Sequence, residues 1–358
     1  MQVAALTSGK HLPSARFRVR QYIPHLRRRQ IDVVDHCPPI SQGAKLPGAL
    51  GRIRERYLLP AAALKAVLNL AGRVPGIAGS RRADLTWLER HFIPGLDDLA
   101  GLLKPPLVLD IDDAIWLYNP LGKKMVRRLV RRAEMVLAGN RFIADWCSNH
   151  HQNIRIVPTG IDCGRFRPRL TPRPPGAPFV VGWTGTSANF VFLEMIVPAL
   201  TMFLRAHRDA VLLVVADRRP RLAGLPAGQV VFVPWRAEIE HRVLHRMDVG
   251  IMPLDDSDIS RGKCSFKMLQ YLAAGLPVIA SPYGMNREVL DLVPGGMGPK
   301  DAAQWRDCLQ AAKADAEAGR FDPVALREIV LQNFAAEKIA GRIARAFFSV
   351  CGPKAPRG

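Results

Sequence analysis

A lysine and a glutamine lie three residues apart at the start of the segment Lys267–Ser281, which reads KMLQYLAAGLPVIAS. This spacing places Lys267 and Gln270 on one face of a helix, which Gly275 and Pro277 would end. A lysine near a helix N-terminus suits a diphosphate, and a polar group one turn later suits ribose or sugar hydroxyls. A solvated helix face explains the same spacing equally well, so both interpretations stay open at this point.

Two adjacent carboxylates, Asp112 and Asp113, follow the apolar run Leu107–Ile111, which predicts a buried strand. Carboxylates at the carboxyl end of a strand are candidates for contact with an acceptor hydroxyl or for general-base work. Capping of the loop is the simpler alternative.

Strands and helices alternate through most of the chain, which predicts parallel sheets. Helical spacing occurs at Arg16–Arg29 and Phe190–His207. The proline- and arginine-rich residues 169–178 predict a linker, after which the alternation starts again. We therefore predict an α/β chain of two Rossmann-like domains, residues 1–168 and 179–335, facing each other across a cleft.

The net charge of +20 is concentrated in the first part of the chain. Residues 1–175 carry 29 Lys/Arg against 13 Asp/Glu, whereas the remainder carries 22 against 18. The first part therefore either meets an anionic partner or simply tolerates a basic surface. The candidate partners are anionic lipid headgroups, a phosphorylated acceptor and nucleic acid.

The six cysteines are scattered without a CxxC pair, which favours a reducing compartment. The apolar start of the chain, Met1–Leu6, is too short for a signal-peptide core, and no apolar run reaches the roughly 18 residues that span a bilayer. The run Tyr57–Gly72 suits a helix on a core or on a membrane surface. We predict a cytoplasmic protein, with peripheral binding to the inner face of the membrane as an open alternative.

Three common motifs are missing from the sequence. No GxGxxG fingerprint follows the first strand, no GxxxxGK[ST] loop occurs, and there is no GxSxG elbow. These absences argue against a dehydrogenase, a P-loop enzyme and an α/β-hydrolase despite the Rossmann-like alternation.

Several segments resemble, in the right order, those of the retaining GT-B glycosyltransferases of family 4, the glycosyl transferases group 1. The strongest is the donor-binding helix that starts at Lys267. The resemblance spans most of the chain, and its other segments are Leu109–Trp116, Ile156–Asp162, Gly182–Thr186, Asp248–Leu254 and Ser281–Val289.

The resemblance implies a role for each matching residue. Asp112, Asp113 and Lys267 would be catalytic, and Ser14, Arg16 and Arg18 would approach acceptor or donor phosphates. The final segment 336–358 would cross back to the first domain. No metal and no cofactor is expected, because the nucleoside-diphosphate sugar is the donor substrate. The residues that would bind this donor are Gly182, Trp183, Thr184, Gly185, Thr186, Lys263, Gln270, Gly284 and Glu288.

The sequence also departs from the family pattern. The usual pair of glutamates falls on Gly262 and Gln270, so both acids are missing. Asp112-Asp113 replaces the usual His-Asp, and the Arg and Lys that often follow the first donor-domain strand are absent. Thr184, Thr186 and the lysines would have to bind the phosphate instead.

The predicted function is retaining transfer of a sugar from a nucleoside-diphosphate sugar to a hydroxyl of a glycan or lipid-linked acceptor, in cell-envelope polysaccharide synthesis. One alternative is a non-catalytic GT-B protein that binds a sugar nucleotide or a glycan, which the missing acids favour. The other is a basic nucleic-acid-binding protein, against which the absence of a helix-turn-helix or of an aromatic-basic motif argues.

Overall fold

The computed structural model describes residues 1–10, 12–39, 41, 59–93, 96–169, 174 and 176–352, with the backbone alone for residues 59–66. The chain divides into two compact units. The first unit comprises Met1–Gly160 and the segment from Ala336 onward, and the second comprises Ile161–Ala335. Part of the predicted linker, residues 170–173 and 175, lies outside the described residues.

Each unit is built on a parallel sheet. The strands of the first unit are β1 Gln2–Leu6, β2 Asp32–His36, β3 Leu85–Glu89, β4 Leu107–Ile111, β5 Met135–Ala138 and β6 Ile154–Ile156. Those of the second are β7 Phe179–Thr184, β8 Ala210–Ala216, β9 Val230–Pro234, β10 Val249–Met252 and β11 Val278–Ala280. The inner strands are short buried apolar runs, as is typical of parallel strands that are covered on both faces, whereas the edge strands β2, β6 and β9 are partly exposed.

Helices connect the strands and cover the sheets. They are α1 Pro13–Arg18, α2 Ile23–Arg27, α3 Leu59–Arg82, α4 Gly122–Arg132, α5 Arg141–Ser148, α6 Phe190–Met195, α7 Val197–Ala206, α8 Glu240–Leu244, α9 Asp258–Arg261, α10 Phe266–Ala273, α11 Met285–Leu290, α12 Ala302–Glu317, α13 Pro323–Asn333 and α14 Ala336–Cys351. Within the described part of the chain no single helix is long and apolar enough to cross a membrane. The bent pair Ser187–Met195 and Val197–Ala206 passes that test together, by length and composition only.

The strand order reverses once in each sheet. The first sheet has the order β2-β1-β3-β4-β5-β6, and the second has the order β11-β10-β7-β8-β9. The chain therefore changes direction beside β1 in the first sheet and beside β7 in the second. In open α/β sheets, ligands bind outside the carboxyl ends of the strands at such a switch point.

The chain passes from one unit to the other after Gly160 and again after Ala335, and contacts near these two points explain the boundaries. The Ile161 N–H donates to the Phe334 carbonyl at 2.8 Å, which ties the start of the second unit to its end. On the first unit, Phe347 of α14 meets the Trp87 ring edge-on, with a distance of 5.2 Å between the ring centroids. The last helix thus completes the core of the unit that contains the N-terminus.

The α/β prediction with two parallel sheets is confirmed, and β4 lies where its apolar run predicted. Two predicted helices are broken instead. Arg16–Arg29 divides at a short 3-10 turn before α2, and Phe190–His207 divides between α6 and α7. In both cases a proline, Pro24 or Pro198, stands in the first turn of the second helix. Proline lacks the N–H and crowds the preceding turn, so a helix starts there more readily than it continues.

Candidate functional site

The loop after β7 lies at the switch point of the second sheet. The strand ends at Thr184, whose backbone N–H donates to the Tyr271 hydroxyl of α10 at 2.9 Å. Gly185 and Thr186 follow, and the Asn189 side chain donates to Thr186 Oγ1 at 2.9 Å. Tyr271 of α10 thus holds the start of the loop, and Asn189 holds its end.

Lys267 of α10 reaches this loop. Its Nζ lies 4.7 Å from the centroid of the Trp183 ring, a cation–π distance. A Cβ on Gly185 would lie 2.8 Å from the same Nζ, so glycine leaves room for the lysine. Burial, with the charge of Lys263 added, lowers the pKa of Lys267 to about 7. An anion bound here would offset both effects, as a diphosphate site requires.

Lys263 adds a second cation beside the loop. Its Nζ lies 3.4 Å from Asn189 Oδ1 and 5.5 Å from the centroid of the Phe192 ring. Asn189 therefore contacts both Thr186 and Lys263. The structure brings together three residues that the sequence assigned to the donor, Gly185, Thr186 and Lys263, with Lys267, which it assigned to catalysis.

The loops after β10 and β11 meet at the start of α10. Gly284 has a positive φ of 54°, and a Cβ there would lie 2.5 Å from the Arg261 carbonyl oxygen, so only glycine fits. Ser265 Oγ donates to Asn286 Oδ1 at 2.7 Å, which fixes the first turn of α10 against α11. Gly284 thus shapes the site through its backbone, and Glu288 lies exposed on α11.

Four predicted donor residues lie in the interior, which corrects the assignment of their side chains as direct ligands; they are Gly182, Trp183, Thr184 and Gln270. A Cβ on Gly182 would collide with the Met247 side chain, and Trp183 is buried beneath Lys267. Both belong to β7, a strand whose residues are all buried. Gln270 is buried as well, and its Nε2 donates to Glu240 Oε1 at 3.2 Å.

In the first unit, the two predicted catalytic carboxylates surround an arginine. Arg90 Nε donates to Asp112 Oδ1 at 2.5 Å, and its Nη2 lies 3.6 Å from Asp113 Oδ2. Burial alone would raise the pKa of Asp112, but the charge and hydrogen bond of Arg90 outweigh it and lower the pKa. Asp113 Oδ1 also accepts the Ala114 N–H at 3.1 Å. Asp112 is therefore held ionised by a cation, which suits it to accept a hydroxyl hydrogen bond better than to take up a proton.

The structure corrects the assignment of Arg18 as a phosphate ligand. Its side chain is 1% exposed and lies 2.8 Å from Asp110 Oδ1, and its Nη1 donates to the Val157 carbonyl at 2.8 Å. Ser14 is buried on the same helix, α1. Arg16 is partly exposed, with its guanidinium 4.6 Å from the centroid of the Phe17 ring. Of these three predicted phosphate contacts, Arg16 is the one that reaches solvent.

A comparison with protein families finds a match for most of the second unit, the one that contains Lys267. Residues 178–315 match the model of a family described as Glycosyl transferases group 1. The matched segment runs from the linker into α12 and includes the two lysines and the loop after β7. No curated protein matches the chain in sequence.

Solved structures extend this likeness to the fold of the whole chain. Sucrose-phosphate synthase from Thermosynechococcus elongatus is 16% identical, with a TM-score of 0.69 over 97% of this chain and 99% of that one. HepE from Anabaena, in complex with UDP and glucose, is 16% identical, with a TM-score of 0.69 over 98% and 100%. A glycosyltransferase from Rickettsia africae is 14% identical, with a TM-score of 0.67 over 99% of both chains. The chain therefore has the GT-B fold of these glycosyltransferases.

The first sheet of this glycosyltransferase fold holds residues that the sequence analysis missed. At its switch point, the Ser8 N–H after β1 donates to Glu89 Oε2 at 2.8 Å. Glu89 ends β3 with 0% exposure, and the adjacent Arg90 has a positive φ of 60°. A bulky residue keeps such a backbone conformation only where its surroundings hold it. The sequence feature that could have indicated these residues is the charged pair Glu89-Arg90 at the end of an apolar run. Charged residues at the end of a strand indicate either a cap or a functional site.

Proposed function

We propose that this group 1 glycosyltransferase transfers a sugar, with retention at the anomeric carbon, from a nucleoside-diphosphate sugar to a hydroxyl of a glycan or lipid-linked acceptor. The observation that carries the proposal is Lys267, desolvated over Trp183 at the switch point of the second sheet, with Lys263 beside it. Two adjacent cations with a glycine loop suit a diphosphate. The UDP and glucose bound to Anabaena HepE favour the same class of donor.

In the proposed reaction, the bond from the anomeric carbon to the diphosphate oxygen breaks, and a bond to the acceptor oxygen forms on the same face of the sugar. The acceptor proton passes to the leaving diphosphate, so no protein base is needed. Lys267 and Lys263 stabilise the charge that develops on the diphosphate, and Asp112 accepts a hydrogen bond from the acceptor. We propose that the transfer needs no metal and no further cofactor.

A panel of sugar nucleotides tests this function. We expect one of them to raise the melting temperature and to release free nucleoside diphosphate in the presence of EDTA. Lys267→Ala should lower that turnover by at least about tenfold, because the charge on the leaving group loses one of the two cations proposed to stabilise it. Lys300→Ala, which removes an exposed lysine of the same unit, is the control and should leave turnover unchanged.

The same experiment distinguishes an active glycosyltransferase from the non-catalytic binding protein. A donor that binds and stabilises the protein without any release of nucleoside diphosphate would indicate a binding protein, which the missing acids at Gly262 and Gln270 favour. Full turnover in a folded Lys267→Ala variant would remove Lys267 from the site.

We further propose that α4 of the first unit binds an anionic membrane surface at the cytoplasmic face, where a lipid-linked acceptor for envelope polysaccharide would be found. The helix carries six exposed Lys/Arg within Gly122–Arg132 and no acidic residue. Leu121 is 64% exposed just before it. Lys123, Lys124 and Arg127 also line a cavity of about 340 Å³ with Trp146, which suits a phosphorylated headgroup.

Vesicle sedimentation tests the α4 surface. The wild-type chain should bind phosphatidylglycerol vesicles but not phosphatidylcholine vesicles. Replacement of Lys123, Lys124 and Arg127 by Ala should weaken binding by about two orders of magnitude, since each cation near an anionic surface contributes about 1 kcal/mol. The matched control replaces Arg236, Arg242 and Arg246, exposed arginines of the second unit, and should keep the affinity. Equal loss in both variants would point to net charge rather than to α4.

A further inference from the structure

Helix α3 contains most of the apolar run for which the sequence left both a core and a membrane surface open. Its glycines pack closely on the first sheet. A Cβ on Gly76 would lie 2.8 Å from Leu6 Cδ2 at the end of β1. A Cβ on Gly79 would collide with the His36 ring at the end of β2. One face of the helix therefore lies against the sheet at a distance that glycine permits.

Another face of α3 is apolar and exposed to solvent. Val67 is 62% exposed and Val74 is 56% exposed, and Ala71 and Ala78 are exposed as well. Residues that are three or four apart share one side of a helix, so these four residues form one strip, which we call the outer face of α3. Contiguous exposed apolar surface of this kind indicates a site of interaction with a protein or a membrane.

Helix α3 lies on the same side of the first sheet as the basic helix α4. The connections from β2 to β3 and from β4 to β5 run in the same direction along the strand order, and right-handed crossovers then place both helices on one side. Contacts around the 3-10 turn Asp97–Leu102 link the two helices. Ser80 Oγ of α3 accepts the Lys104 N–H at 3.2 Å. A Cβ on Gly101 would lie 2.9 Å from Arg132 Nη1 of α4.

Charge and area favour an anionic membrane as the partner of the outer face. No acidic residue occurs in Leu59–Arg82, and the helix ends with two exposed arginines, Arg81 and Arg82. The preceding residues 52–56 include three arginines and one glutamate. The outer face is about 17 Å long and one helix wide, far less than the roughly 800 Å² per partner that a stable protein interface buries. A bilayer surface needs no such area, because an apolar face and neighbouring cations act together.

We infer that the outer face of α3 inserts into the surface of an anionic membrane, on the same side of the first unit as α4. The inference rests on the proposed membrane role of this unit and names its apolar element. The cations of α4 attract the anionic headgroups, and the side chains of α3 leave water for the region just beneath them. The two helices therefore contribute by different forces, which salt separates.

Sedimentation with phosphatidylglycerol vesicles tests the inference. Val67→Ser with Val74→Ser should weaken binding by about tenfold, because two side chains lose the apolar surface that the bilayer would cover. This loss should be the same at about 0.1 M and about 0.5 M sodium chloride, whereas the loss caused by the α4 replacement should shrink at the higher salt. The matched control, Val191→Ser with Val324→Ser, changes two valines of the second unit that are 55% and 64% exposed, and it should keep the affinity.

The melting temperature shows whether the α3 variant keeps its fold. If the serine pair lowers it, Val67→Thr with Val74→Thr preserves the shape of both side chains and must also weaken binding. Unchanged binding of the folded α3 variant, or an equal loss in the control pair, would overturn the inference and leave the role of α4 intact. A wild-type dimer in sedimentation velocity that the α3 variant dissociates would make a second copy of the chain the partner instead. A wild-type chain that does not bind the vesicles contradicts the roles of both helices, while nucleoside diphosphate release tests the transferase function separately.

Discussion

Raising the pH from 7 to 9 is expected to weaken the affinity of the protein for its sugar-nucleotide donor, by about fivefold from pH 7 to 8 and by close to tenfold from pH 8 to 9. The pKa of Lys267 is lowered to about 7 in the free protein by burial and by Lys263. A bound diphosphate favours the charged lysine, so it moves the pKa back toward the ordinary lysine value. Above pH 7, binding therefore takes up a proton, and the affinity falls with pH until the pKa of the complex is reached. Below pH 7 the lysine is already charged, and the affinity should be flat.

The donor that the panel of sugar nucleotides selects is the appropriate probe, because its two phosphates are esterified and do not titrate near neutrality, unlike the terminal phosphate of a free nucleoside diphosphate. Titration calorimetry in two buffers with different heats of ionisation counts the protons that are taken up, with an expected value approaching one at pH 8. Lys267→Arg keeps its charge throughout this range, so its affinity should not depend on pH. Lys267→Met should bind weakly at every pH. A wild-type affinity that does not change between pH 7 and 9 would contradict a diphosphate at Lys267.

The architecture followed from the sequence because it depends on local patterns. Apolar runs of four or five residues mark parallel strands wherever both faces are covered, and β4 has the bounds of its predicted run, Leu107–Ile111. The helix breaks at Pro24 and Pro198 were missed because helical periodicity continues across them. In each case the proline stands in the first turn of a new helix, which a count of apolar spacing does not detect.

The candidate site was only partly predictable from the sequence, and the reason is again physical. Lys267 and Gly185 were assigned to one site by the resemblance to the group 1 glycosyltransferases, and the structure brings the two residues close together. Gly182 is a glycine because Met247, 65 residues later in the chain, fills the space where its side chain would be. Likewise Gln270 is held in the interior by a contact with Glu240, which lies on a different helix. Long-range contacts of this kind leave no periodic signal.

Arg18→Met is expected to destabilise the first unit by about 3–5 kcal/mol, the usual effect of removing one partner of a buried ion pair. Asp110 is fully buried, and it would retain the Trp87 Nε1 donor at 3.2 Å. Burial raises the pKa of Asp110 to about 6, an increase that the Arg18 charge limits. Without Arg18 this pKa rises further, so the folded variant holds its proton to a higher pH than the wild type. The loss of stability should therefore grow as the pH rises above 6 and be smaller at pH 5.

Hydrogen exchange of the β1 and β4 amides measures the effect in the first unit without interference from the second. The double variant Arg18→Met with Asp110→Asn should recover most of the stability, because it leaves no uncompensated charge in the core. Arg16→Met, on the same helix but partly exposed, is the matched control and should change stability by less than about 1 kcal/mol. If Arg18→Met instead kept the exchange rates of the control and lost affinity for a phosphorylated ligand, Arg18 would be a ligand residue, and the buried pair with Asp110 would not describe its role.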